Sequence, residues 1–206
     1  MSVESTVFIV DDDEAVRESL QALVETEGYA VQAFDSARGF LEGFSLPDVG
    51  CLIVDVRMPD MGGLELQAEL VAREASLPVI VVTGHGDVPL AVQAMKAGAI
   101  DFIEKPYNDQ QLLDTIARAL EMARNRQSQS SFAQEAKERV ASLTPREAQV
   151  LEHLVAGQAN KVIAYELGIS PRTIEIHRAH VMEKMQARSL SDLVRMALEA
   201  GIRTPE

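Results

Sequence analysis

The stretch Cys51-Leu52-Ile53-Val54-Asp55-Val56-Arg57-Met58-Pro59-Asp60 is an apolar run that stops at an acid and meets proline four residues later, with Gly62-Gly63 just beyond. Unbroken apolar character suits a strand covered on both faces, and the proline and glycines end it in a loop. The pattern predicts a buried parallel strand whose carboxyl end carries Asp55 to the loop edge where open α/β sheets bind ligands.

Three more runs end in chemically useful residues. Val7-Phe8-Ile9-Val10 leads into Asp11-Asp12-Asp13, Val79-Ile80-Val81-Val82 into Thr83-Gly84, and Ile100-Asp101-Phe102-Ile103 into Glu104-Lys105-Pro106. Tyr29 to Phe34 reads as a further short strand. Between the strands lie segments with helical spacing: Val16, Leu20, Leu23 and Val24 behind a capping Asp13, and Ala37, Phe40, Leu41 and Phe44 between Ser36 and Pro47. Leu64, Ala68 and Val71 mark a third helix, Pro89 to Lys96 a fourth, and Leu112, Leu113, Ile116 and Leu120 a fifth. Strand and helix alternate five times, which predicts an α/β fold: a five-stranded, doubly wound parallel sheet with helices on both faces.

The 206 residues suit two unequal domains better than one. No apolar run reaches about 18 residues, so no transmembrane helix and no membrane association are expected. The N-terminus lacks the basic region and apolar core of a secretion signal. The single cysteine, Cys51, has no intrachain partner and heads a buried strand, which fits a reducing cytoplasm and argues against a catalytic thiol. The net charge of -13 is uneven. Residues 1–124 carry 22 acids and 8 Lys/Arg, whereas 125–206 carry 10 acids and 11 Lys/Arg. The acidic excess belongs to the first part, so it does not exclude nucleic acid as a partner of the second.

Each strand-end residue has an ordinary reading: Asp11 to Asp13 as a solvated helix start, Thr83 as a turn residue, Lys105 as a surface charge, Phe102 as core. Parallel strands would bring them to one edge, and the set then makes a phosphorylation site. Asp11, Asp12 and Asp55, gathered within a few ångströms, repel one another unless a cation sits among them. Hard oxygen ligands at an open edge suit Mg²⁺. Asp55 is then the nucleophile attacking phosphorus, with the Lys105 ammonium neutralising the transferring oxygens and the Thr83 hydroxyl donating to another. His85 reads as a loop residue.

This pattern resembles the receiver domain of bacterial two-component response regulators over about residues 5–123. The resemblance implies a flavodoxin-like sheet, Asp11 and Asp12 as metal-site acids, Asp55 as phosphoacceptor, Thr83 and Phe102 as switch residues and Lys105 as the phosphate-binding lysine. It further implies an Arg57 backbone carbonyl on the metal, a Lys105-Pro106 bond that is often cis, a sensor histidine kinase as phosphodonor, and a homodimer formed on phosphorylation through a surface including Val92 and Lys96. Such a domain turns over no substrate beyond slow self-phosphorylation from small donors and self-dephosphorylation.

From 124 to 141 the chain turns polar without Gly or Pro, and reads as a linker that either extends the fifth helix or starts anew at Phe132 to Val140. Residues 142–206 then carry four helical signals. Thr144-Pro145-Arg146-Glu147 is a capping box opening a helix with Val150, Leu151, Leu154 and Val155 inside. Asn160 opens a short second helix with Ile163, Ala164 and Leu167 inward, Ser170-Pro171 opens a third with Ile174, Val181 and Met185 inward, and Leu190 to Ala200 is a fourth. Two helices joined through Gly168-Ile169-Ser170, with small Ala164 at the crossing, predict a helix-turn-helix within a small all-α domain.

Its third helix shows Arg172, Thr173, Glu175, Ile176, Arg178 and Lys184 outward, with Ile176 suited to a thymine methyl and Glu175 either to cytosine or to a neighbouring Arg178. Lys161, Arg172 and Lys184 are expected on phosphate. His177 and His180, lacking a cysteine partner, read as packing or phosphate contacts. A plain interaction bundle is the competing reading.

Leu143-Thr144-Pro145-Arg146-Glu147, Asn160-Lys161-Val162-Ile163-Ala164 and Thr173-Ile174-Glu175-Ile176-His177-Arg178 resemble the LuxR-type DNA-binding domain of NarL/FixJ-class regulators over about 142–202. Thr83-Gly84-His85-Gly86-Asp87-Val88-Pro89 and Ser170-Pro171-Arg172-Thr173 resemble the FixJ-like members. The combination implies a phosphorylation-controlled transcription factor with double-stranded promoter DNA and RNA polymerase as partners. Two alternatives use part of the same pattern: a Mg²⁺-dependent phosphatase of the haloacid dehalogenase type with Asp11 as nucleophile, and an adaptor that binds no DNA.

Overall fold

A computed structural model of the chain describes residues 5–45, 49–84 and 88–202, so Pro47 and His85 lie outside the described residues. The chain divides into two compact units, 1–127 and 128–206.

In the first unit the elements run β1 (Ser5–Val10), α1 (Glu14–Thr26), β2 (Ala30–Phe34), α2 (Ala37–Gly43), β3 (Val49–Asp55), α3 (Gly63–Ala72), β4 (Val79–Thr83), α4 (Val88–Lys96), β5 (Asp101–Glu104) and the first half of α5 (Asp109–Ala141). The sheet is wholly parallel, in the order β2-β1-β3-β4-β5. Every residue of β3 and β4 is buried. Alternate side chains serve opposite faces: Val7, Ile9, Cys51 and Ile53 pack with Leu20, Ile116 and Leu120, while Phe8, Val10, Leu52 and Val54 pack with Phe40, Leu66 and Leu70. Burial pushes the Cys51 thiol up to about 12, which leaves it protonated and unreactive.

The face of α3 differs from the sequence expectation. Leu66, Gln67 and Leu70 are buried, whereas Ala68 is exposed and Val71 is 64 % exposed. Gly63 sets this rotation. A Cβ there would stand 2.2 Å from the Asp55 carbonyl oxygen, so the helix can lie this close to the end of β3 only with a glycine at 63. Positions three, four and seven residues on, 66, 67 and 70, must then face inward.

The stretch 124–141 is helical throughout, as the continuation of α5. No Gly or Pro interrupts it, and each end has a core to join: Leu112, Ile116, Leu120 and Ala123 belong to the first unit's core, and Ala136, with Phe132 and Val140 beside it, to the second's. The second unit continues with α6 (Pro145–Val155), α7 (Asn160–Glu166), α8 (Pro171–Lys184) and α9 (Leu190–Glu199). Its core holds Val150, Leu151, Leu154, Ile163, Ile174 and Val181. Thr144 and Glu147 close their capping box reciprocally, at 3.3 and 2.8 Å, and Ser170 caps α8 through the Thr173 N–H at 3.1 Å. Between α7 and α8, Gly168 turns the chain at φ +65°.

Candidate functional site

The register places the site. Val10 pairs with Val54, Asp55 with Val82 and Thr83 with Glu104, so the ends of β1, β3, β4 and β5 finish level. Asp11, Asp55, Thr83 and Lys105, spread over 95 positions of sequence, thereby reach one edge. The Lys105 ammonium donates to Asp11 Oδ2 at 2.6 Å and to Asp55 Oδ1 at 3.0 Å. Both carboxylates are buried. The other Asp55 oxygen accepts the Arg57 backbone N–H at 2.6 Å, and the other Asp11 oxygen accepts the Asp13 N–H at 3.0 Å.

The acidic triplet divides its work. Asp13 caps α1 by accepting from the Ala15 and Val16 N–H groups, Asp11 turns inward to Lys105, and Asp12 is exposed. The close trio of carboxylates expected from the sequence is therefore not assembled: among the described residues no three His, Cys, Asp or Glu groups stand close enough to hold a metal. One ammonium draws Asp11 and Asp55 in, and Asp12 stays in water. The donor set still fits a hard divalent cation. Two buried carboxylates face a single ammonium, a third lies exposed one residue from Asp11, and the Arg57 carbonyl accepts no hydrogen bond from any described residue.

Burial acts to lower the Lys105 pKa, but hydrogen bonds and charge from Asp11 and Asp55 outweigh it, and the net shift is upward. The lysine is thus a fixed cation at any physiological pH. Thr83 is buried, and its carbonyl accepts the Lys105 backbone N–H at 2.8 Å. Phe102 is half-buried against the Phe8–Leu66 core, with Leu90 on the same side. The Lys105-Pro106 bond is cis. On α4, Val92 is 46 % exposed and Lys96 is exposed, beside exposed Val88 and Met95. Arg17, whose guanidinium holds the Asp11 carbonyl at 2.8 Å, was not singled out from sequence; its place one turn after Asp13 was the available signal.

In the second unit, α8 exposes Arg172, Glu175 and Ile176, the last at 51 %. Thr173 is half-buried, its hydroxyl within 2.8 Å of the Ser170 hydroxyl, and Arg178 reaches Asn160 Oδ1 at 3.4 Å. Lys161 is exposed on α7. Lys184 departs from its expected place on phosphate: its ammonium donates to Glu147 Oε2 at 2.6 Å. Buried Glu147 is held down to about 2, first by that hydrogen bond and then by the Thr144 N–H. His180 Nδ1 stands 3.7 Å from the same carboxylate, and His177 Nδ1 is buried without a partner among the described residues.

Residues 7–117 match the family of response regulator receiver domains, and residues 141–197 match the bacterial regulatory proteins of the luxR family. This chain belongs to the FixJ-like response regulators. The regulator is 54 % identical to transcriptional regulatory protein FixJ of Azorhizobium caulinodans over 95 % of its own length and 93 % of that protein's. It is 48 % identical to FixJ of Bradyrhizobium diazoefficiens, over 98 % of both. Among solved structures, response regulator StyR superposes with a TM-score of 0.84 at 43 % identity, covering 95 % of this regulator and 99 % of StyR. Full-length FixJ from B. japonicum gives 0.59 at 48 % identity, covering 98 % and 100 %. The regulator thus joins a receiver to a LuxR-type DNA-binding domain and acts in phosphorylation-dependent control of transcription. Among the described residues, no helix is long and apolar enough to cross a membrane.

Proposed function

We propose that the regulator accepts a phosphoryl group on Asp55 from a sensor histidine kinase, and that a receiver over 1–123, a linker over 124–141 and a DNA-binding domain over 142–206 divide the work. The observation that carries this reading is the Lys105 ammonium held between Asp11 and Asp55 at the end of β3 and β5. An ammonium has three N–H donors, and two are used, so one remains to meet a phosphoryl oxygen. The Arg57 N–H and Lys105 fix the Asp55 carboxylate in place. One of its oxygens forms the bond to phosphorus as the donor's bond to phosphorus breaks. Asp11, Asp12, Asp55 and the Arg57 carbonyl are the groups that would hold Mg²⁺, which supplies neutralisation of the transferring oxygens.

The product carries about -2 charge where a carboxylate carried -1. The Thr83 hydroxyl is drawn to it, and Phe102 follows into the space released. Burying the ring more fully is worth on the order of 1–3 kcal/mol, enough to shift a two-state population several-fold or more. The exposed α4 surface with Val92 and Lys96 then joins a second copy. Two DNA-binding domains on neighbouring half-sites gain through effective concentration, which a single domain with 8 acids and 8 Lys/Arg over 143–206 needs. Arg172, Thr173, Glu175, Ile176 and Arg178 read promoter DNA, Lys161 contacts phosphate, and the bound dimer engages RNA polymerase. Lys184 supports α8 from behind through Glu147. The protein works in the cytoplasm, with self-phosphorylation from small donors and self-dephosphorylation as its only chemistry.

Incubation with acetyl phosphate and Mg²⁺ tests this. One hydroxylamine-labile label per chain at Asp55 is expected, with conversion to dimer in gel filtration and neither effect in Asp55→Asn. Labelling at Asp11 with turnover of phosphomonoesters would instead establish the phosphatase reading.

A further inference from the structure

Helix α7 carries an outward face that the reading of α8 leaves unused. Tyr165 is 88 % exposed, Val162 is 44 % exposed and Lys161 is exposed. The spacing of three and four residues puts all three on one side of the helix. The opposite side is fixed by buried Ile163 and Ala164. Both ends are clamped as well: Arg178 Nη1 holds Asn160 Oδ1, and the Arg146 guanidinium holds the Leu167 carbonyl. The neighbouring acid, Glu166, is drawn aside, 3.1 Å from His153 Nδ1 and within 3.5 Å of Gln158. The face that remains outward therefore presents one ammonium, one phenol hydroxyl and a valine, on a helix that cannot rotate without breaking contacts at both ends.

We propose that Tyr165 is a positioning residue for the DNA duplex, its hydroxyl donating to a backbone phosphate beside the one met by Lys161. This rests on the DNA-binding reading above and extends it to α7. In a helix-turn-helix the first helix crosses the sugar-phosphate backbone while the second enters the major groove. Tyrosine hydroxyls and lysines are regular phosphate donors, and such contacts set register without reading sequence. The surroundings favour an anion over an apolar partner: Lys161 is unneutralised among the described residues, and Glu166 is occupied elsewhere. The phenol ring adds reach. Val162, at the flank of the same face, fills against sugar carbons.

The test uses the full-length phosphorylated protein on a duplex selected from a random pool, titrated at several salt concentrations. Tyr165→Phe removes only the hydroxyl. It is expected to weaken binding roughly three- to tenfold, by the same factor on the selected duplex and on unrelated ones, with the salt slope unchanged because no charge is lost. Lys161→Gln is expected to shallow the slope by about 0.9. Ile176→Ala, by contrast, should narrow the gap between selected and unrelated duplexes. Tyr165→Phe and Tyr165→Ala should melt with the parent, since the ring contributes little to the core, so any loss of binding is not a loss of folding. Parental DNA affinity in Tyr165→Phe would overturn the proposal, whatever Tyr165→Ala does and whether or not transcription in a reconstituted system is also lost; loss of transcription alone would assign the face to a protein partner. A parent protein that selects no duplex at all would overturn the DNA-binding reading itself, and this proposal with it.

Discussion

Each unit of the regulator contains a lysine ammonium on a buried carboxylate at 2.6 Å, and the two arrangements behave differently. At the sheet edge, Lys105 divides itself between two carboxylates, Asp11 and Asp55, with Asp12 exposed next door. Negative charge is in excess and the position is open to the loops. In the helical unit, Lys184 serves one carboxylate, Glu147, which also accepts the Thr144 N–H to begin α6. There one ammonium meets one carboxylate, both hydrogen bonds fall on the same Glu147 oxygen, and the pair ties the end of α8 to the start of α6. Short distance and burial do not separate a chemical site from a structural one. Unbalanced charge at an accessible edge does.

The comparison can be broken most sharply at Lys105. Lys105→Met leaves Asp11 and Asp55 facing each other, and phosphorylation by acetyl phosphate should slow by about a hundredfold or more, as when a fixed transition-state donor is removed. Added Mg²⁺ should raise the melting temperature of this variant by more than it raises that of the parent. An equal Mg²⁺ response in both proteins would mean that Lys105 does not offset the charge of Asp11 and Asp55.

A smaller effect is expected at Lys184. Lys184→Met strands the Glu147 carboxylate, and denaturant titration should show a loss of about 2 kcal/mol, below the usual cost of breaking a fully buried pair because the lysine is partly solvated. No Mg²⁺ rescue should occur, and the salt slope of DNA binding should stay within error of the parent's. A slope shallower by about 0.9 would return Lys184 to the phosphate contacts.

The most specific effect is on acid stability. Glu147 sits near 2 in the folded chain against an ordinary value of 4.5, so its charged form is favoured by folding. That contribution is complete above pH 4.5 and fades as pH falls from there toward about 2. Thermal melts of the parent and of Glu147→Gln should therefore differ at pH 6 and converge at the acid end. A constant difference across that range would show that the carboxylate charge is not what the pair contributes.

Much of this was legible along the chain because the signals are local. Apolar runs ending at Asp55, Thr83 and Lys105, the capping box at Thr144 and Glu147, and Gly168 before Ser170-Pro171 each state their structure within a few residues. The sequence was less informative where a face or a partner had to be chosen. Leu64, Ala68 and Val71 have helical spacing and Leu64 does pack on the core, but Gly63 packing on the Asp55 carbonyl turns Leu66, Gln67 and Leu70 inward and leaves Ala68 and Val71 outside. The outward position of Lys184 on α8 suggested phosphate, and only the fold of α6 against α8 brings Glu147 beneath it. For 124–141, composition allowed either a helix that continues or one that restarts.

By itself, then, the sequence determined the order of strands and helices, the candidate acids and the two-domain plan, because periodicity, capping and strand-end chemistry are properties of neighbours in the chain. Tertiary structure alone decided which charges meet: that Lys105 bridges Asp11 and Asp55 across 94 and 50 positions, that Asp12 stays in water, and that Lys184 is spent on Glu147. Ion pairing falls off over a few ångströms, and that separation is set by strand register and helix packing, which no local pattern specifies.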